Sequence, residues 1–168
     1  ARVLGVIGLS VAISGCSTVK GWFSSDDDDD PTQPFELVEI QELVTVKKRW
    51  SASLDGGQGK GYFRLRPVLG GQQMYAAGSD GEVLALERDS GRQVWKTELE
   101  ATISGGLGLF EDSLFLGTSD GAIMRLGAAA GEVRWTQRLS SEVLSAPQSN
   151  GRVVVAQTYD GRVHGLDY

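Results

Sequence analysis

Short runs of apolar and β-branched residues, each broken by a glycine-containing turn, occupy most of the chain after residue 36. The segments MYAAGSDGEVLAL, LFLGTSDGAIMRL and VVVAQTYDGRVHGL begin at positions 74, 114 and 153, and an Asp-Gly pair interrupts each of them. Asp-Gly between two β-rich runs is typical of a tight hairpin. A helical repeat would show apolar residues at a spacing of 3.6, which these segments lack. The pattern therefore predicts strands joined as hairpins.

The hairpins recur with a period of 40 residues. Three Asp-Gly turns, two glycines and two tryptophans keep this offset: Asp80-Gly81, Asp120-Gly121, Asp160-Gly161, Gly91, Gly131, Trp95 and Trp135. Trp50 marks an earlier copy of the same ending. Further turns at Gly70-Gly71 and Asn150-Gly151 complete four short strands per repeat, which is the content of one propeller blade. We therefore expect an all-β fold, a β-propeller of which this chain holds about three to four four-stranded blades.

The first residues have the pattern of an export signal. Residues 3–15 are apolar or small and follow Arg2. This run is shorter than the roughly 20 residues that a spanning helix needs. It suits the apolar region of a secretory signal, with a buried core helix or strand as the alternative. Because the chain starts with Ala1, we expect that the native start is missing.

Cys16 is the only cysteine, so it has no disulfide partner in the chain. The stretch Ile13-Ser14-Gly15-Cys16 resembles a bacterial lipobox. The resemblance implies cleavage between Gly15 and Cys16, an S-diacylglycerol group on the thiol and an N-palmitoyl group on the new amino terminus. Several acyl chains together would anchor the protein stably to a membrane.

Residues 16–35 differ in composition from the rest of the chain, with five consecutive aspartates at positions 26–30. Like charges at this density repel each other and resist packing, which predicts an extended tether. A calcium loop would need spaced ligands and a turn glycine, so we expect no metal site there. The predicted organisation is a signal peptide at 1–15, a lipidated cysteine with an acidic tether at 16–35, and a partial propeller at 36–168.

The net charge, the single histidine and the one basic cluster argue against several classes of function. A net charge of −6 argues against a nucleic-acid surface. His164, the only histidine, aligns with Leu84 and Met124, so we interpret it as a strand residue rather than a general base. The basic cluster at 47–49 is interpreted as an exposed edge rather than a lipid-binding patch. We expect no catalytic residue, no metal and no cofactor.

The unit SDGEVLALERDSGRQVW resembles the PQQ-type propeller repeat, with its alanine, glycine and tryptophan at Ala85, Gly91 and Trp95. In that repeat the tryptophan docks against the neighbouring blade and the small residues make room for it. The docking residues implied by the resemblance are Trp50, Trp95, Trp135, Gly91 and Gly131. The second copy departs from the pattern, because Arg125 replaces the alanine and Gly127 the acidic residue. Its dock is therefore expected to be looser or rebuilt.

The whole chain resembles the BamB family, which combines a lipobox, an acidic tether, an entry segment like FELVEIQELVTVKKRWSASL and PQQ-like blades. The resemblance implies an eight-bladed propeller, of which this chain would be an N-terminal fragment. It implies a non-enzymatic scaffold of the outer-membrane protein assembly (BAM) complex, lipid-anchored to the periplasmic side of the outer membrane. The implied partners are the periplasmic (POTRA) domains of BamA, other BAM subunits and, as a further option, unfolded outer-membrane proteins. The contact loops of the family lie in later blades, so no partner-binding residue is expected before Tyr168.

Proteins with two other functions can contain the same repeat. A PQQ-dependent quinoprotein dehydrogenase would resemble it, but such enzymes need a carboxylate-rich calcium site and, in many cases, a vicinal cysteine pair. Cys16 stands alone, and no segment clusters acidic ligands. A generic periplasmic lipoprotein adaptor is the remaining alternative, because the repeat is evidence of fold rather than of function.

Overall fold

The computed structural model describes residues 37–61 and 63–168. The chain divides into two units, Ala1–Thr45 and Val46–Tyr168. Residues 37–45 of the first unit form no helix or strand and are exposed. The predicted signal peptide, its cleavage site at Gly15 and Cys16, and the acidic tether lie outside the described residues. Within the described ranges no helix is long and apolar enough to cross a membrane.

The second unit consists of antiparallel strands. They are β1 (Val68–Gly70), β2 (Gln73–Ala77), β3 (Glu82–Glu87), β4 (Gln93–Glu98), β5 (Ile103–Phe110), β6 (Ser113–Thr118), β7 (Ala122–Gly127), β8 (Val133–Arg138), β9 (Gln148–Ser149), β10 (Val153–Gln157) and β11 (Val163–Asp167). Three sheets result, in the orders β1-β2-β3-β4, β5-β6-β7-β8 and β11-β10-β9. We refer to them as blades A, B and C. The predicted all-β, PQQ-like propeller is confirmed; blades A and B have four strands each, and blade C has three in the described residues.

The Asp-Gly turns set the register of each blade. Gly81, Gly121 and Gly161 have φ values of 99°, 86° and 82°, which residues with a side chain rarely adopt. The β2–β3, β6–β7 and β10–β11 ladders pair residues at the same repeat offset, as in Ala77 with Val83 and Gly117 with Ile123. The glycine of each turn therefore fixes which side chains face the neighbouring blade.

The contact between blades A and B holds the larger core. Tyr75, Val83 and Ala85 of blade A lie with Leu114 and Leu116 of blade B in one cluster of buried residues. That cluster has twelve buried members. Strand alternation produces it, because every second residue of a strand points to the same face. Burial of this apolar surface is the main stabilising contribution.

The contact between blades B and C holds a smaller core. Its buried residues are Ile123, Val143 and Ala156. Trp135 and Leu166 pack against these three and are only partly buried. The apolar part of the second contact is therefore much smaller than that of the first.

Backbone hydrogen bonds connect the Asp-Gly turn of a blade to the segment that precedes the first strand of that blade. The amide nitrogens of Ser79 and Ser119 donate to the carbonyl oxygens of Gly57 and Thr102, each at 3.0 Å. The inner strands approach each other so closely that an ideal Cβ on Gly108 would lie 1.9 Å from the carbonyl oxygen of Pro147. The inner strand β5 thus needs glycine at this point.

Candidate functional site

Trp95 lies on β4 of blade A and contacts the edge of blade B. Its indole Nε1 donates to the carbonyl oxygen of Ala128 at 2.9 Å. Its ring covers Gly131, where an ideal Cβ would lie 2.6 Å from Cε3 of the indole. Gly131 has a φ of 74°, so both its conformation and the space above it require glycine. Thr97 completes the contact by donating from Oγ1 to the carbonyl oxygen of Gly131 at 2.9 Å.

Trp50 repeats this arrangement in front of blade A. Its Nε1 donates to the carbonyl oxygen of Arg88 at 3.0 Å. Gly91 has a φ of 71°, and an ideal Cβ there would lie 2.5 Å from the indole ring. Among the docking residues predicted from the sequence, the structure brings Trp50 to Gly91 and Trp95 to Gly131. That these pairs are needed for blade docking stays a prediction.

Trp135 lies on β8 in a different environment. Its ring centroid is 6.2 Å from that of Phe115 on β6, with an interplanar angle of 48°. Together with Leu166 and Tyr168 it lines an open cavity of about 330 Å³. The structure thus places Trp135 beside blade C, and none of the described glycines lies under its ring.

In blade B the contacts around Arg125 and Gly127, the two departures from the repeat, differ from those in blade A. Arg125 lies where blade A has Ala85, and its Nε donates to the Ser113 hydroxyl at 2.9 Å. Its guanidinium carbon lies 3.8 Å from the centre of the Tyr168 ring. The space beside Gly127 is taken by the Glu132 carboxylate, which an ideal Cβ on that glycine would meet at 2.0 Å. The acidic group near this position therefore comes from Glu132, in the turn before β8, rather than from β7 itself.

The acidic groups of both blades are ion-paired. In blade A the Ser90 hydroxyl and the Arg92 guanidinium lower the pKa of Glu87. In blade B a backbone N–H and Arg134 lower the pKa of Glu132. These groups are exposed, and such pairs contribute little to stability. Their effect is to fix the orientation of side chains at the blade edges.

His164 lies in a group of hydroxyls at the Asp-Gly turn of blade C. Its Nε2 is 3.3 Å from Oγ of Ser140 and 3.2 Å from Oγ1 of Thr158. The Thr158 hydroxyl also donates to Asp160 at 2.5 Å and is the largest cause of the lowered pKa of that aspartate. In a catalytic triad the carboxylate contacts the other ring nitrogen. Here Asp160 interacts with the hydroxyls instead, so the group is not arranged as a triad.

An acidic cleft of about 700 Å³ lies at the Asp-Gly turn of blade A, lined by Asp55, Asp80, Glu82, Glu98 and Glu100 among others. Glu82 is 7% exposed and accepts the backbone N–H of Asp55 at 2.8 Å. Lys96 lies 3.6 Å from Glu82 and 3.0 Å from Glu98, and these carboxylates, chiefly Glu98, raise the pKa of the lysine. In the part of the chain that the structure describes, no three acidic, histidine or cysteine residues are placed to hold a metal.

Sequence reasoning missed Glu82. The available signal was its place in the repeat, where it aligns with Ala122 and Arg162. A carboxylate at a position that is otherwise apolar or basic marks a contact specific to blade A. That contact is with the segment before the blade, which no repeat alignment identifies.

The comparisons with known proteins identify relatives of this chain. The family described as "Outer membrane protein assembly factor BamB" matches residues 79–168. A BamB from Xanthomonas campestris pv. campestris is 33% identical over 87% of this chain and 39% of its own length. The crystal structure of BamB from Moraxella catarrhalis matches with a TM-score of 0.63 at 28% identity, covering 73% of this chain and 36% of that one. The chain therefore spans about two-fifths of the length of its relatives.

A quinohemoprotein alcohol dehydrogenase from Pseudomonas putida also matches, with a TM-score of 0.55 at 21% identity. It covers 69% of this chain and 20% of the dehydrogenase. At this identity the likeness shows the propeller fold alone.

Proposed function

The chain belongs to the BamB family, and from this premise we propose that it is part of a scaffold lipoprotein of the outer-membrane protein assembly complex. In this proposal it assists the folding and insertion of β-barrel proteins into the outer membrane. The observation that carries the proposal is the match of residues 79–168 to the assembly-factor family, together with a BamB relative that is 33% identical over 87% of the chain.

A scaffold role fits the construction of the blades. Trp95 joins blade A to blade B, and Trp50 joins the segment before blade A to that blade, each through one indole hydrogen bond and one covered glycine. Contacts of this kind hold neighbouring blades in a fixed relation, and a rigid framework can present its loops to a partner in a defined geometry. The proposed activity is therefore binding rather than chemistry.

The non-enzymatic part of the proposal is supported by the relatives, which are named assembly factors. The arrangement of His164 agrees with it, because Asp160 contacts the neighbouring hydroxyls rather than orienting the imidazole. The dehydrogenase alternative is supported by the fold alone. The match to the BamB family favours the assembly-factor role over the generic adaptor alternative.

The proposed partners are the periplasmic (POTRA) domains of BamA, the other BAM subunits and unfolded outer-membrane proteins. The proposed location is the periplasmic side of the outer membrane, with Cys16 as the lipid attachment point. The proposed organisation assigns residues 1–15 to the signal peptide, 16–35 to the tether and 36–168 to the propeller. Cofactors and nucleic acid have no part in it.

Deleting the gene in the organism that encodes the protein tests the proposal. We expect a lower fraction of outer-membrane β-barrel proteins in the folded, heat-modifiable form, restored by the complete gene product. An affinity-tagged complete product is expected to copurify with BamA after mild detergent extraction. Unchanged barrel folding together with no BamA in the purified material would contradict the proposal.

A further inference from the structure

Asp-Gly steps are chemically reactive points of a polypeptide chain. The sequence has four of them, Asp55-Gly56, Asp80-Gly81, Asp120-Gly121 and Asp160-Gly161. The backbone nitrogen that follows an aspartate can attack the side-chain carboxyl, and glycine hinders this attack least because it has no Cβ. The product is a five-membered cyclic imide, which opens to aspartate or to isoaspartate. In a folded protein the rate depends on how firmly other bonds hold the carboxyl and the attacking N–H.

In blades B and C a hydroxyl and an arginine hold the aspartate of the turn, and we call each such set of bonds a turn clamp. The bonds are Thr118 to Asp120 at 2.5 Å, Arg138 to Asp120 at 2.7 Å, Thr158 to Asp160 at 2.5 Å and Arg162 to Asp160 at 3.0 Å. These bonds, chiefly those of the threonines, lower the pKa of both carboxyls. A clamped carboxyl therefore stays ionised, and a carboxylate is a poor electrophile.

The turn of blade A has no clamp of this kind. The positions that hold the threonines and arginines in the other blades are occupied by Gly78, Glu98 and Glu82. An ideal Cβ on Gly78 would lie 2.0 Å from the carbonyl oxygen of Asp55. The loop before blade A therefore leaves no room for a threonine at this position.

Asp80, the aspartate of the blade A turn, is exposed and loosely held. Its one hydrogen bond among the described residues comes from the Ser79 hydroxyl at 3.3 Å. The same hydroxyl lies 3.0 Å from the carbonyl oxygen of Gly56 and has a single hydrogen to donate. The carboxyl of Asp80 is therefore free of strong bonds for much of the time.

The attacking N–H is also held least firmly in blade A. In each turn the glycine N–H donates to the carbonyl oxygen three residues earlier. The bonds measure 3.3 Å at Gly81, 3.2 Å at Gly121 and 3.0 Å at Gly161. The first exceeds the usual range of about 2.7–3.2 Å, so it does least to prevent the attack.

The step Asp55-Gly56 lies against this turn and has no clamp either. The Asp55 side chain is 83% exposed, and its one ion pair among the described residues, with Lys96, measures 3.9 Å. Gly56 packs directly on Asp80, since an ideal Cβ there would lie 2.5 Å from the carboxyl carbon. Isoaspartate at either step adds one methylene group to the backbone where the loop and the turn are in close contact.

We infer that the junction between the loop before blade A and the turn of that blade is a site of spontaneous isoaspartate formation, at Asp80 and Asp55, whereas the turn clamps protect Asp120 and Asp160. The nitrogen of the following glycine bonds to Cγ of the aspartate, and its hydrogen leaves with the carboxyl OH as water. Water then opens the ring. Cleavage between the nitrogen and Cγ restores aspartate, and cleavage between the nitrogen and the backbone carbonyl carbon leaves isoaspartate. Water is the only co-reactant, and nothing is oxidised or reduced.

Prolonged storage of the complete gene product at mildly acidic pH tests this inference. Tryptic digestion and electron-transfer dissociation then measure isoaspartate at each step, because a lysine or arginine lies between every two neighbouring steps. We expect at least about fivefold more isoaspartate at Asp80 and Asp55 than at Asp120 and Asp160, the factor to which the net contribution of one hydrogen bond corresponds. Protein stored unfolded in urea should show similar amounts at all four steps. Amounts at Asp80 or Asp55 no higher than at the clamped steps, or the same contrast in urea, would overturn the inference.

Two variants and a control test the role of the clamps. Arg138→Ala removes the exposed arginine of the blade B clamp, so it should raise isoaspartate at Asp120 and leave Asp80 unchanged. Asp80→Glu would require a six-membered ring, which forms far more slowly, so the signal at that step alone should disappear. Arg92→Ala removes an arginine that pairs with Glu87 inside blade A and should change none of the steps. If Arg138→Ala left Asp120 protected, or Arg92→Ala raised its isoaspartate as much, the clamps would not be the cause and the inference would be wrong.

Discussion

The indole N–H of Trp95 donates to the carbonyl oxygen of Ala128 at 2.9 Å, so a side chain of blade A reaches the backbone of blade B through a directed bond. The bond from Trp50 to Arg88 repeats it one period earlier. The two acceptor carbonyls, of Arg88 and Ala128, lie one 40-residue period apart, so these two tryptophans bond to the same position of successive repeats. In such an array stability depends on the contacts between adjacent units.

Replacing Trp95 by alanine is expected to destabilise the complete gene product strongly. The change removes the hydrogen bond to Ala128 and the ring that packs on Gly131. A large aromatic deletion of this kind costs about 3 kcal/mol or more. Trp95→Phe keeps much of the packing and should cost about 1 kcal/mol, the contribution of one hydrogen bond. Urea unfolding measures both, and equal midpoints for the two variants and the wild type would contradict a docking role.

Replacing Gly131 by alanine should cost more than replacing Gly71 by alanine. Both glycines have positive φ, 74° and 59°, so each substitution carries a backbone cost of about 1–2 kcal/mol. At Gly131 the new Cβ would also meet Oγ1 of Thr97 at 2.4 Å and the Trp95 ring, whereas nothing lies within 4 Å at Gly71. We expect Gly131→Ala to lose about 1–3 kcal/mol more unfolding free energy than Gly71→Ala, because only at Gly131 does the new Cβ overlap with packed side chains. Equal losses in thermal unfolding would show that the covered glycine has no special role.

The repeat period made most of the fold predictable. Because Asp-Gly turns and tryptophans recur every 40 residues, the hairpins, the blades and the positions of the docking tryptophans and glycines could be located from the sequence. Each of these features depends on positions within one repeat or at a fixed offset to the next. The periodic pattern is therefore sufficient to predict the hairpins, the blades and the docking positions.

The contacts specific to one blade could not be predicted in the same way. Arg125 was visible as a departure from the repeat, but its partner Tyr168 aligns with Ala128, which gives no aromatic signal. Glu132 fills the space beside Gly127 from the turn that precedes β8. Such compensations depend on side-chain packing across strands, which the order of residues along the chain does not reveal.

The stability of the complete gene product should fall in acid partly through Asp120. The Thr118 hydroxyl, at 2.5 Å, is the largest cause of the lowered pKa of this carboxyl, and Arg138 adds to it at 2.7 Å. Since the pKa is lower in the folded state, the unfolded chain takes up the proton first as the pH falls. This contribution is therefore present above about pH 5 and is lost as the pH falls through the folded pKa.

Asp120→Asn should remove that part of the pH dependence. We expect the variant to be less stable than the wild type at pH 7 and the difference to shrink toward pH 3 in urea unfolding. Asp89→Asn is the control, because that exposed carboxylate contacts only the adjacent Arg88 at 3.5 Å among the described ion pairs. A stability difference for Asp120→Asn that stays constant from pH 7 to pH 3 would refute the assignment.

Replacing Cys16 by serine should abolish lipid attachment. The prediction depends on the sequence Ile13-Ser14-Gly15-Cys16 after an apolar run, and these residues lie outside the described part of the structure. Incorporation of labelled palmitate by the complete gene product in a bacterial host measures it. Ser17→Ala, which keeps the cysteine, is the matched control and should still be labelled. Equal labelling of Cys16→Ser and the wild type would end the lipoprotein interpretation.

Replacing Glu111 by glycine should stabilise the protein. Glu111 has a φ of 49° in the β5–β6 turn, where the other two repeats place Gly71 at 59° and Gly151 at 81°. A side chain in this conformation costs about 1–2 kcal/mol, and glycine removes that cost. The gain is partly offset, because glycine also increases the conformational entropy of the unfolded chain. We therefore expect a gain of up to about 1 kcal/mol in urea unfolding. Glu111→Ala removes the same carboxylate but keeps Cβ, so it should give no such gain. If alanine stabilised as much as glycine, the effect would come from the lost charge and the backbone explanation would be wrong.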